Sequence, residues 1–141
     1  MRVTHLILAF LFIANISAFS QRGNYLKLSH KITTEEKDIT NFTKIDAEED
    51  FEIIINIGQQ ESVKIEANEN LHDYIYVEKA GNNTLKLRLK SYSSWNYKSK
   101  DNGAREHLTA YITVKDLTGI TANEDVTIEL MDKLRTDNLT L

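Results

Sequence analysis

The sequence predicts an all-β protein in which antiparallel strands lead into the first coils of a β-solenoid, as a single domain after a signal peptide. Three observations support this prediction. From residue 50 onward apolar residues mostly alternate with polar ones, which is the period of half-buried strands. Short polar turns separate these segments. The last part of the chain repeats short apolar groups between Asn, Asp and Gly residues.

The first element is a secretory signal peptide over residues 1–20. Arg2 supplies the positive start, Leu6–Ile13 is an apolar run, and Ala18 and Ser20 are small residues placed for cleavage before Gln21. The run is too short to span a bilayer as a helix, and no second run of spanning length follows. We therefore expect an exported protein, in the periplasm, on the cell surface or extracellular, with no transmembrane segment in the mature chain.

Residues 21–36 are predicted to be an irregular N-terminal segment. Thr33–Glu36 has the form of a helix capping box, but no amphipathic helix follows it, so we expect a loop there. Ile39, Phe42 and Ile45 indicate an opening strand with its apolar contacts. The all-β domain is accordingly expected over residues 37–141.

The alternating segments after residue 50 predict a series of antiparallel strands. Short turns favour hairpins, because parallel neighbours need a longer crossover. Gly58–Gln60 and Ala80–Asn83 are the turns expected to close two of these hairpins. The strands are expected over Phe51–Ile57, Val63–Ala67, Ile75–Glu78, Leu85–Leu89 and Leu108–Val114.

The C-terminal part of the sequence has a different rhythm, typical of a solenoid. Its apolar groups recur at intervals of roughly six to ten residues, and turn-forming residues separate them. One coil cannot bury its inner face alone, so each coil must stack on another. The groups are Ile120 with Ala122, then Val126, Ile128 and Leu130, then Leu134, and finally Leu139 with Leu141.

Composition excludes several classes of function. The chain of 141 residues has a formal net charge of −4, which argues against nucleic acid or an anionic membrane as the main partner. It contains no cysteine, so disulfides, thiol catalysis, cysteine-ligated metals and a lipoprotein anchor are all excluded.

No motif for catalysis, a cofactor or a metal is found. His5 lies in the predicted signal peptide, and the other histidines have no second metal ligand at a suitable spacing; they are His30, His72 and His107. The sequence also lacks the Gly-x-Ser-x-Gly motif of a nucleophile elbow. The acidic stretch Asp46–Asp50 lacks the glycine and the spacing of a calcium loop, so we expect a solvated turn. The sequence thus predicts a protein that is not an enzyme and needs no cofactor or metal.

The polar segment Ser91–Glu106, which we call the aromatic loop, contains the candidate binding site, which is Ser91–Lys100 with Arg105 beyond it. It combines aromatic rings and cations in an otherwise acidic chain. Exposed rings could stack on sugar faces, and the cations could hold an acidic glycan or peptide. The alternative is that the rings fold back and cover the end of the sheet. The candidate binding residues are Tyr92, Trp95, Tyr97, Lys98 and Arg105.

The order of these segments resembles the putative auto-transporter adhesin head GIN domain, a family known mainly from Bacteroidetes. The resemblance covers roughly residues 37–141. This chain departs from the family pattern at Lys115–Asp116, where the family usually has a proline, and at Ala122–Asn123, where it has a small residue and a glycine. The matching segments are Ile39-x-x-Phe42-x-x-Ile45, Phe51–Gly58, Val63–Ala67, Asn70-Leu71-x-x-Tyr74-Ile75, Gly81-x-x-x-Leu85-x-Leu87, Ile112-x-Val114 and Leu117-x-x-Ile120.

The resemblance implies a non-enzymatic exported protein that acts through binding or assembly, in the manner of an adhesin, with a glycan or a protein at the cell surface as partner. The alternative is a carbohydrate-binding module centred on the aromatic loop. Family members normally run on for several more coils, so we expect either a chain truncated at Leu141 or a partner on the open end. A further expectation is self-association through the edge that carries Leu139 and Leu141.

Overall fold

The computed structural model describes residues 26–90, 103–131 and 140. Within these ranges nine β-strands form two mixed sheets, joined by one short 3-10 helix, Glu69–Tyr74. The strands are β1 (Ile32–Lys37), β2 (Lys44–Ala47), β3 (Glu52–Ile57), β4 (Ser62–Asn68), β5 (Ile75–Ala80), β6 (Thr84–Leu89), β7 (Leu108–Val114), β8 (Gly119–Ala122) and β9 (Thr127–Leu130).

Both sheets mix parallel and antiparallel pairs, which corrects the expectation of antiparallel strands. The five-stranded sheet has the order β1-β4-β7-β3-β9, and the four-stranded sheet has the order β5-β6-β2-β8. The parallel pairs are β2 with β6 and β8, and β3 with β7 and β9. These partners are far apart in the chain, so the long intervening segments supply the crossovers that parallel pairing requires.

One predicted hairpin is confirmed and the other is wrong. Strands β5 and β6 pair antiparallel, and Asn82 and Asn83 of their turn adopt the left-handed conformation that Asn tolerates. Strands β3 and β4 are not paired, because β7 lies between them and pairs with both. After the end of β3, the Gly58 amide donates to the Val114 carbonyl oxygen at 2.9 Å, so the chain crosses over the end of β7 before β4 begins.

The loop predicted at Thr33–Glu36 is wrong, since β1 is a strand that pairs antiparallel with β4. This strand has no apolar alternation because it is an edge strand with polar residues on both faces. Its Glu35 lies opposite the buried Ile65 and therefore points toward the interior side of the sheet. Inward-pointing charges of this kind protect a sheet edge from pairing with another chain.

The opening strand is shorter than predicted. Phe42 is buried in the core but lies outside any strand, and β2 begins only at Lys44. The preceding Asn41 has a φ of 59°, and its amide donates to the Glu61 carboxylate at 2.9 Å. The chain therefore turns before β2, which the apolar spacing of Ile39, Phe42 and Ile45 does not reveal.

A single apolar core lies between the two sheets, built from the alternating residues of their inner faces. The predicted alternation after residue 50 is confirmed by this burial. Each fully buried branched side chain contributes about 1.5 to 3 kcal/mol relative to an exposed one. The largest fully buried side chains are Phe42, Ile45, Phe51, Ile53, Ile55, Val63, Ile65, Leu71, Leu85, Leu87, Ile112 and Val114.

Strands β8 and β9 repeat the path of β2 and β3. Strand β8 pairs in parallel with β2 in one sheet, and β9 pairs in parallel with β3 in the other. The first corner, between β2 and β3, matches the second corner, between β8 and β9, since Glu49 and Glu124 each have a φ of 66°. The left-handed residue of the second corner is therefore Glu124, and not Asn123, which stands where the family usually has glycine. The Ile120 amide donates to the Thr140 carbonyl oxygen at 2.9 Å, so Thr140 continues the column beside β8.

The matching corners have matching sequences that the periodicity alone does not reveal. Ala47-Glu48-Glu49-Asp50-Phe51 corresponds to Ala122-Asn123-Glu124-Asp125-Val126, with the acidic pair at the same places. A left-handed conformation is uncommon for glutamate. At the first corner it is supported by the Glu49 carboxylate, which accepts a hydrogen bond from the Leu89 amide at 2.7 Å. Burial raises the pKa of this carboxyl, partly offset by that hydrogen bond.

Substitution of Gly58 by alanine is expected to lower the free energy of unfolding by about 1 kcal/mol. A Cβ at this position would lie 2.9 Å from the Thr113 methyl group, so the packing where β3 passes the end of β7 must shift. Chemical denaturation measures the loss. The matched control is Gly81→Ala, where a Cβ meets no atom within 4 Å and stability should be unchanged or slightly raised. Equal stability of the two variants would contradict this packing.

Glu35 is expected to make stability pH-dependent at acid pH. A hydrogen bond from Lys37 and the nearby His72 hold its pKa below the ordinary 4.5, although burial opposes the shift. A lowered folded-state pKa gives stability that is present above the unfolded value and lost as the pH falls through the folded value. The effect is small because the carboxyl is 46% exposed. The difference in unfolding free energy between the native chain and Glu35→Gln should therefore shrink from pH 7 to pH 3, and a constant difference would contradict this.

Candidate functional site

Most of the predicted binding residues lie in the segment between β6 and β7. Tyr92, Trp95, Tyr97 and Lys98 lie outside the described residues. Arg105 is described and exposed, three residues before β7. The structure describes the residues at both ends of the aromatic loop, and their contacts show where the loop is attached to the rest of the fold.

The first end of the loop is fixed to the 3-10 helix and β5. The Lys90 amide donates to the Tyr74 carbonyl oxygen at 2.7 Å, and the Lys90 ammonium donates to the Asp73 carbonyl oxygen at 2.9 Å. The same ammonium lies 5.1 Å from the centre of the Tyr76 ring, within the range of a cation–π contact. The loop therefore leaves β6 beside Tyr76, a ring that is 50% exposed.

The second end of the loop is fixed by Asn68, which closes β4 and is only 1% exposed. Its amide group donates to the Arg105 carbonyl oxygen at 3.0 Å, and its carbonyl oxygen accepts from the His107 amide at 2.8 Å. The same amide group donates to the Ser29 carbonyl oxygen at 2.8 Å. Asn68 thus joins the N-terminal segment, β4 and the chain that leads into β7.

Asn70, at the second position of the 3-10 helix, completes the attachment of the N-terminal segment. Its side chain accepts from the Ser29 amide at 2.8 Å and donates to the Lys27 carbonyl oxygen at 2.7 Å. Sequence reasoning missed the role of both asparagines. The sequence does contain a sign of this role, because Asn68-Glu69-Asn70 directly follows the apolar alternation of β4. Where chain segments meet at the buried end of a strand, their backbone amides and carbonyl oxygens need hydrogen-bond partners, and asparagine side chains can supply them.

Polar side chains on the outer face of the five-stranded sheet lie beside this second end. The His107 ring lies 2.7 Å from the Glu66 carboxylate on β4, and Glu66 also faces the Tyr111 hydroxyl. Burial, together with the carboxylates of Glu66 and Glu52, raises the pKa of Tyr111. His107 and Glu66 therefore form a second link between β4 and the start of β7.

The acidic stretch Asp46–Asp50 is engaged in structural contacts. Asp46 lies 3.4 Å from the Lys86 ammonium and Glu48 lies 3.6 Å from the Arg88 guanidinium, both on neighbouring β6. Within residues 26–90, 103–131 and 140, no three His, Asp or Glu side chains come together as a metal site would require. No helix in the same ranges is long and apolar enough to cross a membrane.

His72, another of the histidines considered in the sequence analysis, makes structural contacts. It lies in the 3-10 helix and is 8% exposed. Its Nε2 donates to the Thr33 carbonyl oxygen at 3.0 Å, and its Nδ1 lies 3.6 Å from the Glu35 carboxylate. His72 therefore attaches edge strand β1 to the rest of the fold.

Comparison with known families identifies the chain. The family described as "Putative auto-transporter adhesin, head GIN domain" matches residues 41–141. The chain belongs to this family. The match includes β2 to β9 and both corners, so the head GIN family is established over the part of the chain that carries the repeated strand path. No curated protein is similar to the chain.

Solved structures of similar fold come from Bacteroides and Parabacteroides. A putative adhesin from Bacteroides fragilis superposes with a TM-score of 0.67 at 24% identity, covering 81% of this chain and 50% of its own. A putative adhesin from Parabacteroides merdae gives 0.67 at 18% identity, covering 82% and 45%. One from Parabacteroides distasonis gives 0.61 at 13% identity, covering 76% and 42%. The chain thus spans half or less of the length of these relatives, and at such identity they show the shared fold.

Proposed function

We propose that this head GIN protein is exported and acts outside the cytoplasm, without catalysis, by binding or assembly through its β-surface. Its partner is a glycan or a protein at the cell surface, and its action resembles that of an adhesin. The family supports export, and so does the predicted signal peptide of residues 1–20, with cleavage before Gln21.

The observation that carries the proposal is the repetition of β2–β3 by β8–β9. Matching corners and parallel pairing in both sheets are what successive coils of a β-solenoid require. The hydrogen bonds of Thr140 beside β8 extend the same column. A structure that grows by stacked coils presents a long regular surface, which suits recognition of an extended partner.

The outer edge of β9 supports assembly as the second mode of action. Ile128 and Leu130 of β9 pack against the core but are only partly buried. Half-covered apolar residues on an edge strand favour addition of a further strand. We propose that this edge continues into further coils or pairs with another chain, in line with the self-association expected from Leu139 and Leu141 in the sequence.

Experiments on a purified protein of residues 21–141 test binding and assembly together. Light scattering across the micromolar range should report self-association, or else isolated cell envelopes of the producing organism should retain the protein. Boiled, protease-treated and periodate-treated envelopes then distinguish a protein partner from a glycan. A stable monomer that no envelope preparation retains would contradict the proposal.

The alternative function is a carbohydrate-binding module that uses Tyr92, Trp95 and Tyr97. It is favoured by the attachment of both ends of the aromatic loop, through Lys90 at one end and Asn68 at the other. Binding residues are commonly carried on loops that a rigid scaffold positions, since fixed ends lower the entropy lost on binding.

A further inference from the structure

A polar groove crosses the outer face of the four-stranded sheet. Its volume is about 510 Å³, within the range of small-ligand sites. Strands β6, β2 and β8 form its floor, and the β5–β6 turn forms one wall. The side chains that line it and concern the argument are Lys44, Asn82, Thr84, Lys86, Thr118 and Thr121.

Parallel register arranges the floor in two rows. In the first row Lys44 lies between Thr84 and Gly119, and in the second row Asp46 lies between Lys86 and Thr121. Residues opposite each other in these strands point to the same face, so both rows face the groove.

The two rows differ in how their lysine charges are compensated. In the second row the Lys86 ammonium lies 3.4 Å from the Asp46 carboxylate, so its charge is compensated. In the first row Lys44 is exposed, and no carboxylate of the described residues lies within ion-pair distance of its ammonium. Among the residues that the structure describes, Lys44 is therefore the uncompensated cation of the groove, and the neighbouring Asp46 would repel a second negative charge on a ligand.

Gly119 shapes the groove around this lysine. A Cβ on Gly119 would lie 3.5 Å from the Lys44 Cγ and 3.7 Å from its Cδ, so the lysine chain lies against the space that the glycine leaves open. The backbone of Gly119 is not in the left-handed region, which would itself demand glycine.

The remaining lining groups suit a sugar. Thr84, Thr121 and Asn82 place hydroxyl and amide groups around the lysine, and such groups can donate to and accept from sugar hydroxyls. A single cation matches a single carboxylate better than a doubly charged phosphate, and a polar floor does not suit a lipid chain.

We propose that this groove binds a uronic-acid unit of an acidic glycan, with the carboxylate on the Lys44 ammonium. This inference rests on the proposed function, since it names the ligand class of a protein that acts by binding. No described residue of the aromatic loop lines this groove, so the two candidate sites can be tested independently. Binding should weaken with added salt, because a charge-assisted hydrogen bond to an exposed lysine carries it.

The test is an NMR titration of ¹⁵N-labelled residues 21–141 with oligosaccharides of galacturonate and of glucuronate, and with a neutral galactose oligosaccharide. The acidic probes should shift the amides of Thr84, Gly119 and Thr121, and the neutral probe should not. Lys44→Met should weaken this binding about tenfold or more. The matched control is Lys64→Met, which removes an exposed strand lysine from the other sheet.

Gly119→Val provides a second variant that keeps the charge. A β-branched residue is favourable in a strand, and the Cβ makes only ordinary contacts, so the fold should persist while the groove fills and binding falls. Acidic probes that shift only residues 91–105 would overturn the groove and leave binding through the aromatic loop standing. The groove proposal would also be overturned if neither acidic probe shifted any amide, or if Lys44→Met bound the probes with unchanged affinity. Retention of the protein by cell envelopes tests the proposed function separately.

Discussion

Substitution of Asn68 by alanine is expected to lower the free energy of unfolding by about 2 to 3 kcal/mol. The alanine leaves three backbone groups without their partner, namely the carbonyl oxygens of Ser29 and Arg105 and the amide of His107. The side chain is buried, so water replaces these hydrogen bonds poorly. Two segments distant in the sequence lose their attachment to the end of β4 at the same time.

Urea denaturation followed by circular dichroism measures this loss. The matched control is Asn70→Ala, which removes two hydrogen bonds from a more exposed side chain that holds only the N-terminal segment. We expect about 1 kcal/mol there. Equal losses for the two variants would show that Asn68 does not act as the junction we describe.

Substitution of Trp95 by alanine is expected to abolish glycan binding by the aromatic loop while the protein stays folded. Stacking of an exposed ring on a sugar face contributes much of the affinity in sites of this kind, and alanine removes it entirely. A glycan array with the native chain identifies the ligand, and calorimetry with that ligand measures the variant. Thermal unfolding of both proteins shows whether the fold is intact.

The matched control for this prediction is Tyr76→Ala, which removes an exposed ring beside the first end of the loop and leaves both hydrogen bonds of Lys90 in place. It should bind with nearly native affinity. Unchanged binding in Trp95→Ala would contradict the carbohydrate-binding alternative. Loss of folding in Trp95→Ala would instead favour the interpretation in which the ring covers the end of the sheet.

The inner faces of the central strands could be predicted from the sequence. Val63, Ile65, Leu85 and Leu87 alternate with polar residues, and all four are buried. Alternation reports which face of a strand is covered, because side chains point to opposite faces in turn. It carries no information about which strand lies alongside, and for this reason the insertion of β7 between β3 and β4 was not predicted.

Edge strands and corners escaped prediction for different physical reasons. Strand β1 is polar on both faces, so it has no period to detect. The corner residues Glu49 and Glu124 adopt a conformation that glutamate seldom takes, so their residue type gives no sign of the turn. A comparison of the two corner sequences with each other would have revealed the repeat.

The candidate site was only partly predictable. Composition pointed to the aromatic loop, because rings and cations concentrate there. The groove at Lys44 was not visible in the sequence, since Thr84, Lys44 and Gly119 are far apart in the chain and meet only through parallel register. Parallel pairing brings distant residues into one row, and no local pattern encodes that row.

The central claim is that this head GIN protein is exported and works outside the cytoplasm. The most direct test is the N-terminal peptide and intact mass of the native protein, isolated separately from the cytoplasmic and envelope or extracellular fractions of its own cells. We predict a protein that begins at Gln21 and is found outside the cytoplasm. A protein that retains Met1–Ser20 and remains in the cytoplasmic fraction would contradict the account.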